Sequence, residues 1–392
     1  MVQPQLSRPD VAIRRAGERG TRPRVLTVID RVSDHGGAER FAVGLALQLQ
    51  AERVDSWLCT TRESDGGALA AQVAAAGIPH TVLGRRAKWD VHRLGGLVKL
   101  LRRERFDVVH SHMFGSNVWA SLLGRACRIP VIVAQEHTWS YSGNPLRMWI
   151  DGHVIGRFAT RFVAVSPLDA RRMVELEHVP AEKVVYLPTA YIPRESGERR
   201  DIRVELGLAP GTPLIGVAAV LRPQKALTVL LEAHARLLER VGDAHLVLAG
   251  DGECRRPLEQ RARELGIAAH VHFLGARDDI EAIISSVDVA ALSSDYEGLP
   301  LFALECMVHG TPLVATDVGG LSEIVEHGVN GLLVPTRDPA ALADALGSLL
   351  EDRDRLAAFA EAAMRSAGAF SIEAIAERFA DLYVDLLAAV RR

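Results

Sequence analysis

Residues 287–320 read VDVAALSSDYEGLPLFALECMVHGTPLVATDVGG. The apolar, β-branched run ending near Ser294 reads as a buried strand. Residues 295–298 form a loop. Pro300 stands at a helix start, where its missing N–H costs nothing, and Gly310 sits just past the helix end. A further strand, PLVAT, follows at 312–316. Strand, helix and strand in so short a span form a βαβ unit. Repeated, such units make a parallel sheet covered by helices on both faces.

The same rhythm extends in both directions. Upstream lie strands LIGVAAVL (214–221), HLVLAG (245–250) and VHFLG (271–275), with helices at 225–240 and 255–265. Downstream, residues 338–350, 352–367 and 371–390 read as helices. Residues 189–212, rich in Pro, Gly and charge, break the alternation and contain the linker. Before it come strands RVLTVIDRV (24–32), SWLCT (56–60), HTVL (80–83), DVVHSH (107–112), PVIVAQEH (130–137) and FVAVS (162–166). Helices fall at 38–50, 66–76, 90–104 and 115–127. The fold class is therefore α/β, with two successive doubly wound domains, 24–192 and 193–370. Ligands bind at the carboxyl ends of such strands, so a cleft between the domains is expected. Residues 1–23 hold five arginines and three prolines and read as a disordered basic leader.

Composition narrows the function. With 392 residues, 48% hydrophobic and 24% charged, the chain is neither disordered nor a disulfide scaffold. The four cysteines are widely spaced, with no C-x-x-C, and suit buried thiols in a reducing compartment. No run of 18 apolar residues suggests a membrane span, and no secretory core opens the chain, so a cytoplasmic protein is expected. The net charge of −3 argues against a nucleic-acid binder. It conceals an asymmetry, since residues 1–192 carry 26 basic and 18 acidic side chains and residues 193–392 carry 20 and 31. Opposite signs in the two halves suggest different partners.

Three loops could carry chemistry. The loop before the 301–309 helix offers backbone N–H groups at a helix N-terminus, an anion site. Glu297 and Glu305 flank it and can accept hydrogen bonds from sugar hydroxyls. Arg222 and Lys225, at the end of the first strand of the second domain, suit a diphosphate. Gly36 and Gly37, in the first turn of the first domain, let the backbone approach a ligand closely. Anion-binding N–H groups, cations and hydroxyl-binding carboxylates together describe a nucleotide sugar.

The ordered series GGAE, DVVHSH, LRPQK, LAGDGE, VHFLG, E-G-L-P-x4-E and TDVGGLSEIVEHGVNGLLVP resembles the retaining glycosyltransferases of family 4, over residues 24 to about 390. The resemblance implies a GT-B fold, with the donor held mostly by the second domain, the acceptor by the first, and the last helix (371–392) crossing back to the first domain. It implies that Glu305 holds the ribose and Glu297 the donor sugar. Gly298, Leu299, Pro300 and Leu301, with Lys225 and Arg222, would hold the diphosphate. Gly275 and Arg277 would border the base, and Gly36 and Gly37 would close over the phosphate or acceptor. His112 would stand at the reacting centre, and Glu136 and His137 on the acceptor side. Two positions depart from the family: Val220 stands where an arginine is common, leaving Arg222 to substitute, and Thr189-Ala190 replace an asparagine-glycine pair.

These assignments imply a hexosyltransferase that needs no metal and no cofactor beyond a UDP- or GDP-linked donor. No carboxylate is placed to attack the anomeric carbon, so a front-face reaction is expected, the departing diphosphate taking the acceptor proton. A GT-B epimerase or a non-catalytic sugar-binding protein are the alternatives. His110 is expected to point away from the cleft, on the face opposite His112. His80, His92, His153, His234 and His245 are expected at the surface or partly buried, and Asp251 in a turn. The basic, amphipathic segment 84–106 reads either as a core-packing helix with a solvated basic face or as one that could lie on anionic lipid. The latter reading implies a lipid-linked or cell-surface glycan acceptor and peripheral association with the inner face of the plasma membrane.

Overall fold

The computed structural model describes residues 22–34, 36–64, 66–87, 90–137, 144–193 and 201–390. The proposed leader, up to residue 21, lies outside the described residues. The first sheet has seven parallel strands: β1 (Arg24–Ile29), β2 (Asp55–Thr60), β3 (His80–Val82), β4 (Val108–His112), β5 (Val131–Gln135), β6 (Arg161–Ala164) and β7 (Val184–Tyr186). The second has six: β8 (Leu214–Ala218), β9 (His245–Ala249), β10 (Val271–Gly275), β11 (Val289–Leu292), β12 (Leu313–Thr316) and β13 (Gly331–Val334). Their orders are β3-β2-β1-β4-β5-β6-β7 and β10-β9-β8-β11-β12-β13. The expected pair of doubly wound α/β domains is present.

The topology fixes where ligands go. Each order reverses once, between β1 and β4 in the first sheet and between β8 and β11 in the second. Helices leave opposite faces of the sheet at such a point, opening a crevice beyond the carboxyl ends of the strands. Those four strands lead into Gly36, His112, Arg222 and Glu297 respectively.

One strand escaped the pattern: β13, four residues long at the edge of its sheet, is too short for a periodicity to show. Helices Pro145–Ile150, Pro167–Glu175 and Ile280–Ser286 were also not expected. The run 24–32 yields a strand only to Ile29, since the chain must then turn toward the cleft.

The final helix, Ile372–Val390, belongs to the first domain although it follows the second. Ile372, Ile375, Ala376, Phe379, Ala380, Tyr383, Leu386 and Leu387 recur at helical spacing along one buried face. That face packs on Phe41, Leu45 and Leu49 of helix Gly37–Glu52. All four cysteines are free, with Cys59 and Cys306 buried. No helix among the described residues is long and apolar enough to cross a membrane.

Candidate active site

The second-domain bank of the candidate site is built from two loops that are stitched together. The turn Pro223–Lys225 follows β8, and the loop 293–300 follows β11. Gln224 Nε2 donates to the Tyr296 carbonyl at 2.9 Å, and Asp295 N–H donates to the Gln224 carbonyl at 2.9 Å. Ser293 Oγ donates to the Lys225 carbonyl at 2.9 Å. Lys225 Nζ then reaches Glu297 Oε1 at 2.6 Å, and Ser294 Oγ donates to the same oxygen at 2.6 Å. Glu297 is buried, and this ammonium and hydroxyl both engage its Oε1. An ammonium has three N–H donors. The contact with Glu297 uses one of them.

Pro300 stands at the N-cap of the helix Leu301–His309 and makes no side-chain cap hydrogen bond to its first turn. Gly298 and Leu299 approach it through a buried loop held by the following segment. A Cβ at Gly319, where φ is +58°, would stand 1.8 Å from the Glu297 carbonyl oxygen. Only glycine fits there, which accounts for the TDVGG motif.

The two domains meet on Glu305. Arg40, from the first helix, pairs with Glu305 Oε1 at 2.9 Å, both side chains being buried. Arg40 also donates to the Ile192 carbonyl at 2.8 Å. Glu305 therefore faces the cleft already engaged by a cation from the opposite domain. Sequence reasoning missed Arg40, although it directly follows the quoted GGAE. Leu301 touches the same bank: a Cβ added at Gly37 would sit 3.6 Å from its Cδ1.

Gly36 precedes that first helix, which has no side-chain cap. The Glu39 carboxylate folds back over it, its Oε2 only 2.1 Å from where a Gly36 Cβ would lie. It occupies the position an anion would take at that helix end. Burial raises the Glu39 pKa, its own N–H opposes this, Asp30 adds to it, and Arg31 and Arg222 oppose it. Arg222, itself exposed, thus acts across the cleft on Glu39. Gly275 ends β10 with φ +72°. Arg277 is turned onto carboxylates, at 2.7 Å from both Glu205 and Asp279. The Asp251 carboxylate accepts from Gly252 N–H at 2.7 Å, within a turn.

The opposite bank is a histidine stack. His112 is fully buried, with Nδ1 3.1 Å from His137 Nε2. His110 does not point away as expected. Residues two apart on a strand share a face, and the His110 and His112 rings lie 4.1 Å apart. Nδ1 of His110 meets the Tyr383 hydroxyl at 2.7 Å, so the crossing helix reaches the strand that carries His112. Burial depresses all three pKa values, His110 and His137 to about 3. His112 falls well below its usual value through burial and the neighbouring His110 and His137. Burial thus favours the neutral form of all three rings. Immediately after His112, Met113 has φ +68° and ψ +152°. A non-glycine residue there stores strain of about 1–3 kcal/mol, a feature that clusters at functional sites.

Glu136 and His137 diverge, as adjacent residues at a strand end do. His137 joins the stack, whereas Glu136 enters a carboxylate cluster with Asp151, Asp169 and Glu177 beside Arg147. Burial pushes Glu136 to about 8, against Arg147 and with Glu177. Asp151 is raised to about 8 by burial, Glu177 and Glu136. Of the outlying histidines, His80, His92 and His153 are exposed. His234 and His245 are not: they are 0% and 7% exposed, because both line the inner side of β9 and its covering helix.

The basic helix takes the core-packing alternative. Leu94, Leu97 and Leu101 are buried in the core of the first domain, so the apolar side of helix Gly95–Glu104 is already covered by protein. Lys99, Arg102 and Arg103 remain exposed on its outer face. Trp89 lies outside the described residues.

Residues 198–366 match the family described as glycosyl transferases group 1, and residues 35–193 match glycosyltransferase family 4. A D-inositol 3-phosphate glycosyltransferase of Nocardia farcinica is 36% identical over 71% of this chain and 66% of its own. The chain thus spans just under two thirds of that relative. An alpha-D-kanosaminyltransferase of Streptomyces kanamyceticus is 29% identical over 74% of this chain and 80% of its own. Among solved structures, Anabaena Alr3699/HepE in complex with UDP-glucose is similar with a TM-score of 0.81 at 22% identity, over 93% of this chain and 100% of that one. The fold is GT-B.

Proposed function

We propose that this chain, a member of the glycosyl transferases group 1, moves a hexosyl group, with retention, from a nucleotide sugar to a phosphate-bearing acceptor. The observation that carries this reading is the Lys225–Glu297–Ser294 contact beside an uncapped helix N-terminus. Glu297 is positioned to accept from donor hydroxyls, and the two remaining Lys225 N–H groups point the diphosphate toward the helix end. As the glycosidic bond lengthens, negative charge grows on the leaving oxygen. Lys225, Arg222 and the first-turn N–H groups stabilise it, and no metal is required for that charge balance. A nucleophilic carboxylate is not needed: the acceptor attacks from the side the diphosphate leaves, and the diphosphate oxygen takes its proton. The neutral histidines suit this step, because His112 can accept a hydrogen bond from an acceptor hydroxyl without adding charge.

The basic first half favours an anionic acceptor. Relatives named D-inositol 3-phosphate glycosyltransferases support a phosphorylated polyol. The exposed Lys99, Arg102 and Arg103 support a lipid-linked acceptor reached by electrostatic attraction to a membrane surface. A thermal-shift panel of UDP-, GDP- and ADP-sugars tests the donor. A true donor at 100 times its Kd raises stability by about 2.7 kcal/mol, and a panel without any shift overturns the reading. Nucleotide release with inositol 3-phosphate, against release with an anionic-lipid acceptor in vesicles, separates the two acceptors.

A further inference from the structure

At the end of the second sheet away from the cleft, two adjacent segments read Asp243-Ala244-His245 and His270-Val271-His272. They open β9 and β10, which run parallel with Leu246 opposite Val271. This register sets His245 beside His270, and side chains two apart share a face. The topology therefore gathers one carboxylate and three imidazoles at one corner. The rings of His245 and His270 are 4.8 Å apart, and those of His245 and His272 5.1 Å. His234 backs the group from helix Leu227–Val241 and is fully buried.

The atoms are arranged as ligands are. One atom each from Asp243, His245 and His270 lie within 4.8 Å of one another. His245 Nε2 is 3.4 Å from Asp243 Oδ1. Two ligands on a tetrahedral zinc at 2.0–2.1 Å stand roughly 3.3 Å apart, so this pair already has the needed spacing. His245 Nδ1 lies 2.8 Å from His272 Nε2. If that contact carries the Nδ1 proton, the Nε2 lone pair is left facing Asp243, the arrangement by which a neighbour fixes a metal-ligating ring. His270 Nδ1 is buried and, among the described residues, has no hydrogen-bond partner. Asp243 is exposed, which gives an ion a route in and leaves room for water as a fourth ligand.

We propose that Asp243, His245 and His270 bind a zinc-like divalent transition ion, with His272 orienting the His245 ring. Imidazole nitrogens with a single carboxylate select such an ion over magnesium or calcium, which take oxygen ligands. The ion ties β10, an edge strand, to β9. It sits at the far ends of strands whose other ends reach the cleft at Gly250 and Gly275, and so serves the sheet and not the transfer reaction.

The test uses the full, untagged chain stripped with a chelator. Zinc is titrated calorimetrically, and cobalt(II) is followed by visible absorption. One zinc equivalent should bind saturably and raise the melting temperature, and cobalt should give the intense band of a tetrahedral site. His270→Ala and Asp243→Asn should each weaken zinc binding more than tenfold, and His272→Ala about 10–100-fold. Asp243 is exposed, so Asp243→Asn should keep the zinc-free melting temperature and the transferase activity. The proposal is overturned if no one-equivalent site exists, or if binding is unchanged in both His270→Ala and Asp243→Asn, which would place the ion elsewhere, as on His112 and His137.

Discussion

The two banks of the cleft are buried to a similar degree but wired differently. On the bank of the second domain each functional carboxylate has a named cation: Lys225 for Glu297, and Arg40, lent by the other domain, for Glu305. On the bank of the first domain, His110 Nε2, His112 Nε2, both polar atoms of the Gln135 amide and Glu136 Oε2 are buried without hydrogen-bond partners among the described residues. Unpaired buried polar groups are costly, and in a native protein each calls for a reason. The difference teaches a division of labour. Under the proposed function, the donor's charge is fixed and large, so its site is complete in advance, whereas the first-domain bank would meet the acceptor with groups whose hydrogen bonds are left for a substrate to make.

The comparison can be broken most forcefully at the contact between the banks. Arg40→Ala leaves Glu305 buried without this partner and should destabilise the protein by about 3–5 kcal/mol. Denaturant midpoints measure it, and a change below about 1 kcal/mol would mean Glu305 is solvated. Next, Lys225→Ala should lower kcat about 10²–10³-fold at donor saturation, the effect of removing one preorganised donor. An unchanged kcat would remove Lys225 from the charge-stabilising group. Smaller still, Tyr383→Phe removes only the hydroxyl that meets His110, and should cost about 1 kcal/mol of stability. A neutral substitution would show that the crossing helix is held by packing alone.

The bank of the first domain also carries two opposed pH responses. His110 and His137 have folded pKa values near 3, below the ordinary value of 6.5. The unfolded chain binds more protons in between, so their contribution is full above 6.5 and is lost as pH falls toward 3. Glu136, raised to about 8, has the reverse sign. Its contribution is full below about 4.5 and is lost as pH rises through 8. Glu136→Gln should therefore shrink the loss of stability between pH 5 and pH 8, read from urea midpoints at both values. An unaltered difference would show that Glu136 is ionised in the native protein.

How far the sequence reached follows the same division. Glu297 before the helix start at Pro300, and Lys225 in the turn after β8, were each legible as a charged residue in a loop at a strand end, although their contact spans 72 residues. Arg40 and Tyr383 were not, since each acquires its role from a partner 265 and 273 residues away. His110 was misplaced by an error of period: strand side chains repeat every two residues, so the H-x-H of β4 stacks on one face. The same spacing in β10 went unread for the same reason. The amphipathic helix near residue 100 showed its pattern correctly, but a pattern cannot say whether lipid or protein covers the apolar side. Here Leu97 and Leu101 face protein.

The proposed transfer keeps the configuration of the donor sugar. Proton NMR of the product formed from an α-linked nucleotide sugar tests it most directly, recorded before any anomeric exchange. An α-linked product is predicted. A β-linked product would contradict the account, because it would require attack from the face opposite the diphosphate.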